Sequence, residues 1–140
     1  MFLGQYIHKL DTKNRIMIPS EFRYKLGDEF FLAKGPENSL TVLTQDEFDK
    51  RAQSLNKLDF NSKKNRALKR LFFSSTLKVS LDKQGRLLIP RNLIDYTEIE
   101  NEAIIIGNNT IFEIWNLDKW NSYIKDVEEN MSELMDDNEI

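Results

Sequence analysis

The chain reads LDTKNRIMIP over residues 10–19 and LDKQGRLLIP over residues 81–90. These stretches lie 71 positions apart and are identical at five of their ten positions. The match continues at an offset of 72, where FLAKG at residues 31–35 aligns with AIIIG at residues 103–107. A repeat at a fixed spacing has to be recognised before the fold is read. We therefore interpret the chain as one unit, of about 50 residues, that occurs twice.

Each copy of the motif lies between two predicted strands. Residues 5–10 alternate apolar and polar side chains, residues 11–14 have turn chemistry, and residues 15–18 resume a strand, so we expect a local hairpin. A short helix at 20–26, a hairpin over 29–44 and a helix at 45–56 follow. The second copy repeats this order, with a hairpin over 76–89, a helix at 91–96, a hairpin over 102–115 and one long helix from residue 116.

A basic segment joins the two copies. Leu68, Leu71 and Phe72 lie on one predicted helical face of residues 61–75, and five lysines and arginines occupy the other. A helix on a membrane surface is the weaker alternative, because the apolar side is small. We expect an α+β fold: a tandem pseudo-two-fold swapped-hairpin, double-psi-like β barrel with short helices, this basic linking helix and a long C-terminal helix.

The predicted boundaries place the first repeat at residues 1–60, the linking helix at 61–75 and the second repeat at 76–140. A lone unit of about 60 residues buries too little surface to be comfortably stable. We therefore expect both repeats to interlock around a pseudo-two-fold axis and form one domain.

Charge is segregated along the chain. The net charge is −3, from 20 basic and 23 acidic residues, but residues 1–26 and 63–91 carry +3 and +8, and residues 27–62 and 92–140 carry −3 and −11. Both basic stretches contain the repeated motif. The overall acidity therefore conceals a predicted basic face, which suits nucleic acid.

Several functional classes are disfavoured by composition. The chain has no cysteine and one histidine, so no disulfide, thiolate or zinc–cysteine chemistry is expected, and His8 is expected to pack rather than bind a metal. No apolar run approaches the roughly 20 residues that span a bilayer, and no signal peptide is recognisable. We expect a soluble cytoplasmic protein without a metal, a cofactor or a small-molecule substrate.

The repeated motifs resemble those of the MraZ family, within the AbrB/SpoVT-like class of swapped-hairpin DNA-binding proteins. The resemblance rests on MFLG at residues 1–4, HKLD at 8–11, Lys13, Arg15, IP at 18–19 and FR at 22–23, and on DKQGR at 82–86 with IP at 89–90. Asn14 stands where the family usually has glycine. The resemblance implies a nucleoid-associated transcriptional regulator, usually a repressor, that binds direct repeats in the promoter of its own operon, at the head of the division and cell-wall gene cluster. It also implies a ring of identical protomers.

The D-x-x-x-R pattern suggests roles for its charged ends. We expect Asp11 and Asp82 to orient Arg15 and Arg86, which would then reach either a guanine edge or a phosphate. The alternative is that each pair only fixes its turn. Four lysines are predicted to contact phosphates, which position the DNA without specifying its sequence: Lys9, Lys13, Lys78 and Lys83. Two arginines are predicted either to contact DNA at the edge of the site or to be solvated surface: Arg23 and Arg91.

Two other functions compete with DNA binding. A ring-forming scaffold could bind a protein partner through its acidic helices without touching DNA. An enzyme is the least supported class, because the chain offers no nucleophile–base pair and no paired-carboxylate signature.

Overall fold

The computed structural model describes residues 1–140, and it contains eight strands and six α-helices, with one 3₁₀ turn at Pro36–Asn38. The strands are β1 (Gln5–Lys9), β2 (Arg15–Met17), β3 (Phe30–Lys34), β4 (Leu40–Leu43), β5 (Leu77–Val79), β6 (Arg86–Leu88), β7 (Glu102–Asn108) and β8 (Ile111–Asn116). The helices are α1 (Ser20–Leu26), α2 (Gln45–Asn56), α3 (Lys63–Ser75), α4 (Arg91–Thr97), α5 (Leu117–Glu129) and α6 (Met131–Asp137). The α+β class is confirmed.

The strands pair across the repeats rather than only within them. A six-stranded antiparallel sheet has the order β1-β7-β8-β4-β3-β5, and β2 pairs with β6 in a separate two-stranded sheet. The predicted hairpins of β3 with β4 and of β7 with β8 are confirmed. The predicted pairing of β1 with β2 and of β5 with β6 is wrong, because all four strands find their partners in the other repeat or on a distant strand.

The sheet order is palindromic with respect to the repeat. Two antiparallel pairs place a residue opposite its own equivalent: Ile16 faces Leu87 in β2–β6, and Thr41 faces Glu113 in β4–β8. An antiparallel pair of equivalent strands has a two-fold axis at such a point. Both pairs therefore mark one pseudo-two-fold relation between the halves.

Two parts of the predicted architecture are corrected. The six-stranded sheet is open, because β1 and β5 each have a single neighbour at its two ends, so the strands do not form the predicted closed barrel. The predicted long C-terminal helix is broken into α5 and α6 at Asn130, whose φ of −109° and ψ of 15° are not helical. The Asn130 side chain donates to the Asp126 carbonyl oxygen at 2.8 Å, a local hydrogen bond that competes with helix continuation.

The alignment of the first strand in each second hairpin is also corrected, by one residue. The sequence match pairs Phe31 with Ala103. In the structure Phe31 lies in the outer cluster, whereas Phe30 and Ala103 both lie in the main core. Strand side chains alternate between faces, so a shift of one residue moves the whole set to the other side. The structural offset between β3 and β7 is therefore 73.

Two apolar layers cover the two faces of the sheet. The main core joins alternate sheet residues to β2, β6, α1 and α4, and it draws on both repeats. The outer cluster joins Phe31, Ala33 and Leu43 to Leu55 of α2 and Phe72 of α3. The β2–β6 pair and the α2–α3 layer thus lie on opposite faces of the sheet. No helix has the length and apolar character needed to cross a membrane.

Candidate nucleic-acid interface

The turn at residues 11–15, turn 1, is organised around one carboxylate. Asp11 Oδ1 accepts hydrogen bonds from the backbone N–H groups of Lys13 and Arg15, each at 2.9 Å. Asp11 Oδ2 accepts from Arg15 Nε at 2.8 Å. The aspartate therefore closes the turn and orients the arginine with the same side chain.

The turn at residues 82–86, turn 2, has the same geometry. Asp82 Oδ1 accepts from the N–H groups of Gln84 and Arg86 at 3.0 and 2.9 Å. Asp82 Oδ2 accepts from Arg86 Nε at 2.8 Å. The spacing of four in D-x-x-x-R is thus the spacing at which one carboxylate reaches both the backbone and the guanidinium across a tight turn.

The residue before each arginine has a left-handed backbone. Gly85 has a φ of 83° and Asn14 has a φ of 60°. Glycine adopts this conformation freely, and asparagine is among the few other residues that tolerate it. The departure of Asn14 from the family pattern consequently leaves the conformation of turn 1 intact.

Hydrogen bonding lowers the pKa of both aspartates below its ordinary value. The backbone hydrogen bond from Arg15 is the largest influence on the pKa of Asp11 and lowers it; burial opposes the shift, and the Arg15 side chain and the Lys13 backbone reinforce it. The pKa of Asp82 is lowered in the same way, first by the backbone hydrogen bond from Arg86. Each arginine is therefore held by a charged acceptor at neutral pH.

The pairing of β2 with β6 brings the two turns onto one surface. Arg15 faces Leu88 and Arg86 faces Met17 across the ladder, so these four side chains share one face while Ile16 and Leu87 point into the core. Arg86 Nη1 lies 3.9 Å from Asp11 Oδ2, which links the two turns directly. We call Arg15, Met17, Arg86 and Leu88 the β2–β6 face.

Both arginines keep donors for a ligand. Nε of each is committed to its own aspartate, and each side chain retains 27% of its accessible surface. The Nη groups of a guanidinium held in this way can bind a phosphate or the O6/N7 edge of guanine with two parallel hydrogen bonds. Leu88, which lies opposite Arg15, is 57% exposed, so the face also offers an apolar contact.

The lysines of the two turns are not equivalent in the repeat. Lys13 and Lys83 are both exposed near the turn tips, but Lys13 aligns with Gln84 and Lys83 with Thr12. Each turn therefore presents one lysine at a different place. The surface has approximate two-fold symmetry in its backbone and departs from it in its charges.

Arg23 lies closer to turn 2 than the sequence indicates. It belongs to α1 of the first repeat, is half-buried, and its Nη1 is 3.4 Å from the carbonyl oxygen of Gln84. A Cβ atom built on Gly85 would stand 2.1 Å from Arg23 Nη1, so the guanidinium occupies the space that a side chain would need. Its Nε is buried without a hydrogen-bond partner. This geometry makes Arg23 a support for turn 2.

The other predicted contacts do not belong to the β2–β6 face. Lys78 Nζ stands 5.8 Å from the centroid of the Phe31 ring, on the sheet face that α2 and α3 cover. Lys9 is exposed at the end of β1 opposite Glu102. Arg91 Nε pairs with Asp95 at 3.3 Å on the exposed side of α4, and Arg91 lines a pocket together with Asn14 of turn 1. The structure thus brings together Asp11, Arg15, Asp82 and Arg86, with Lys13 and Lys83 on the same turns.

Sequence reasoning missed the contacts that cross the repeats. Neither the Arg23–Gly85 contact nor the pairing of Arg86 with Asp11 has a local signal. The β2–β6 pairing had one signal in the sequence: the two strands are copies of one another, and equivalent strands related by a two-fold axis can pair antiparallel. Met17 and Leu88 then fall on the arginine face by alternation.

The chain is similar to named proteins over nearly its whole length. A family model described as "MraZ protein, putative antitoxin-like" matches residues 1–71 and again residues 72–138. The chain is 48% identical to the "Transcriptional regulator MraZ" of Clostridium acetobutylicum over 140 residues, which cover 96% of this chain and 99% of that protein. It is 44% identical to the protein of the same name from Clostridium tetani, with the same two shares covered. It is 45% identical to that of Acetivibrio thermocellus over 132 residues, which cover 94% of this chain and 91% of the relative.

Proposed function

Because the chain belongs to the MraZ family, whose relatives named above are called transcriptional regulators, we propose that it regulates transcription by binding promoter DNA through the β2–β6 face. The observation that carries this proposal is the juxtaposition of two aspartate-held arginines on one partly exposed face. A guanidinium that is already oriented loses little conformational freedom when it binds, which favours specific recognition.

Arg15 and Arg86 are the proposed contacts that read sequence, with Asp11 and Asp82 as positioning residues. Lys13 and Lys83 are proposed phosphate contacts, because a flexible ammonium at a turn tip binds charge without sequence preference. Lys9, Lys78, Arg23 and Arg91 remain predicted contacts. Since Arg23 supports turn 2, its replacement should act mainly on the second turn.

The proposed target is a set of direct repeats in the promoter of the protein's own operon, in the division and cell-wall gene cluster, and the proposed effect is repression. One face of two turns covers little DNA. Several copies in a ring would present several such faces to several repeats, and weak contacts would combine through effective concentration. Binding of this kind would place the protein at the nucleoid without an enzymatic role.

The two repeats are proposed to act as one domain with swapped hairpins, residues 1–60 and 76–140 around a linker at 61–75. Support comes from the main core, which contains residues of both halves, and from the pairing of β2 with β6. Neither half contains the complete β2–β6 face. A half chain should therefore not bind DNA specifically.

The test is titration of a labelled duplex carrying the upstream region of the protein's own gene, followed by fluorescence anisotropy at several salt concentrations. Arg15→Ala and Arg86→Ala should each weaken specific binding, by about 1–3 kcal/mol if a bidentate base contact is lost. Lys13→Ala should instead weaken binding to all sequences and reduce the log–log salt slope by about 0.9. Lys57→Ala, which removes a lysine next to α2, is the matched control for charge.

Charge-preserving variants separate the two roles of arginine. Arg15→Lys and Arg86→Lys keep a positive charge but lose the planar fork, so they should retain nonspecific affinity and lose discrimination between promoter and random DNA. Normal promoter binding by the Arg15→Ala/Arg86→Ala double variant would reject the assignment. Failure of the wild type to bind duplex DNA at physiological salt would favour the scaffold hypothesis.

A further inference from the structure

A second basic surface lies on the solvent side of α3, on the sheet face opposite the β2–β6 pair. Residues 57–75 carry six basic residues and one acidic residue, Asp59. Lys63, Arg66 and Arg70 follow the spacing of one helical face, and Phe72, which packs into the outer cluster, lies on the opposite side of the helix. The helix therefore buries its apolar side and turns these cations towards solvent.

The cations of α3 have no acidic partner in the folded chain. None of its five lysines and arginines forms a salt bridge. The nearby carboxylate of Asp59 accepts a hydrogen bond from the Asn61 N–H at 2.9 Å and thus belongs to the turn before the helix. Like charges three and four residues apart destabilise a helix. The surface therefore lacks neutralising anions, and a row of phosphate groups would supply them.

Two exposed aromatic rings accompany these cations. Phe60 is 63% exposed, and the centroid of its ring lies 5.8 Å from both Arg66 Cζ and Lys69 Nζ. Phe73 is 43% exposed and falls on the same helical face as Arg66 and Arg70. The α3 face, as we call it, consists of Phe60, Lys63, Arg66, Lys69, Arg70 and Phe73. It combines positive charge with accessible aromatic rings.

The segment that carries Phe60 is fixed against the helix. Arg66 Nη1 donates to the carbonyl oxygens of Phe60 and Asn61 at 2.9 and 3.1 Å. Asn65 Nδ2 donates to the Asp59 carbonyl oxygen at 3.1 Å. The Phe60 ring therefore projects into solvent from a backbone that is already ordered. A ring placed in this way loses little conformational freedom when a ligand stacks on it.

We propose that the α3 face binds single-stranded nucleic acid, with its cations on phosphates and with Phe60 and Phe73 as stacking platforms for bases. Proteins that bind single strands combine a basic track with aromatic side chains on which successive bases stack. In a duplex the bases are already paired and stacked on one another, so a duplex would engage the cations but not the rings. The exposed rings thus favour a single strand over a second duplex.

This activity goes beyond the proposed binding of promoter duplex and does not depend on it. The two surfaces lie on opposite faces of the sheet, so one chain can hold a duplex and a single strand together. Stacking is tolerant of sequence because every base has a face on which a ring can lie. Single strands arise where DNA is melted and where RNA is transcribed, so both chemistries belong in the test.

The test is titration of short fluorescent oligo(dT) and oligo(U) probes with the full chain, followed by anisotropy at several salt concentrations. The wild type should bind single strands in a salt-dependent manner. Phe60→Ala should weaken this binding about 5- to 150-fold, the cost of losing one stacked base. Phe60→Tyr keeps a ring and should retain it. Lys63→Gln and Arg70→Gln should each reduce the log–log salt slope by about 0.7, the value for one phosphate of a single strand.

Matched controls remove an exposed ring and an exposed cation from other helices. Tyr24→Ala removes a ring of α1 that is 79% exposed, and Lys125→Gln removes an exposed lysine of α5. Both variants should bind the single strands as the wild type does. The Arg15→Ala/Arg86→Ala variant should also bind them normally, and Phe60→Ala should keep promoter binding.

Circular dichroism and thermal unfolding check that each variant folds, and Phe73→Ala replaces Phe60→Ala if the latter does not. A higher affinity for either probe supports the inference and identifies the sugar that the α3 face prefers. If the wild type binds single strands but not promoter duplex, the promoter proposal is wrong and the α3 face stands.

Four results would overturn the inference. The first is a wild type that binds neither probe at physiological salt, and the second is wild-type affinity in Phe60→Ala. The third is a loss of single-strand binding in Arg15→Ala/Arg86→Ala as large as that in Phe60→Ala, which would place the single strand on the β2–β6 face. The fourth is an equal effect of Phe60→Ala on a duplex of random sequence, which would mean that the ring does not act by stacking on bases.

Discussion

Gly85 of turn 2 is a position at which the structure leaves no room for a side chain. Its φ of 83° lies in the left-handed region, and an added Cβ would stand 2.1 Å from Nη1 and 2.6 Å from Cδ of Arg23. Replacement with alanine therefore has two consequences for the folded state, a strained backbone and a displaced guanidinium. The conformational strain alone is about 1–2 kcal/mol.

The steric part can be separated from the strain by a double-mutant cycle. Because the Arg23 side chain is flexible, it should move aside rather than force the backbone apart. The steric cost should therefore lie at the low end of the about 1–3 kcal/mol typical of overpacking. Gly85→Ala should therefore lower the free energy of unfolding by about 2–3 kcal/mol in the wild type. In an Arg23→Ala background the same change should lower it by only about 1–2 kcal/mol.

The assay is urea unfolding followed by circular dichroism at one fixed protein concentration, since assembly would make stability depend on concentration. Asn14→Ala is the matched control, because it lies at the equivalent place in turn 1 and does not contact Arg23. Its effect should be independent of the Arg23 background. A coupling between Gly85→Ala and Arg23→Ala within the about 0.5 kcal/mol found for independent sites would refute the proposed contact.

Two further predictions follow from the turns and the outer cluster. The pKa values of Asp11 and Asp82 are lowered in the folded state from an ordinary value of 3.8. Near pH 3.8 the folded state therefore binds fewer protons than the unfolded state. The contribution of the two carboxylates to stability should be fully present above pH 3.8 and should be lost as the pH falls through the lowered pKa values. The Asp11→Asn/Asp82→Asn variant should show a smaller fall in urea midpoint between neutral and acidic pH, and an unchanged fall would contradict the role of the two carboxylates. Phe72→Ala should destabilise the protein by about 3 kcal/mol, because it removes the ring that closes the outer cluster. Phe73→Ala, at a neighbouring ring that is 43% exposed, should have less than half that effect in the same measurement.

Local features were predicted well because their signals are local. Helix α2 begins after the Thr44 cap, whose Oγ1 accepts from the Glu47 N–H at 3.3 Å, and it spans the predicted residues 45–56. The short helices after Pro19 and Pro90 and the hairpins of β3–β4 and β7–β8 also follow from nearby residues. The D-x-x-x-R turns belong to this group, since each is closed by hydrogen bonds that span at most four residues.

The predictions that were wrong concern strand pairing, because the residue pattern of one strand is compatible with more than one neighbouring strand. The alternating residues of β1 identify a strand but do not identify its neighbour, and β1 pairs with β7 about a hundred residues later rather than with β2. The one-residue shift between β3 and β7 could not be seen in the sequence either. The second to fourth residues of both strands, 31–33 and 103–105, are all apolar and all buried. A continuous apolar stretch does not indicate which face of the sheet each side chain occupies.

The sequence by itself determined that the chain is a duplicated α+β unit, that each copy carries an aspartate–arginine turn, and that its charges alternate in blocks. These properties follow from residue types and short spacings. Only the tertiary structure decided that the two turns share one face and that Arg23 of the first repeat supports turn 2 of the second. Each of those contacts joins residues far apart in the chain, and it forms because burial of the common core selects one pairing of strands among several that local preference allows.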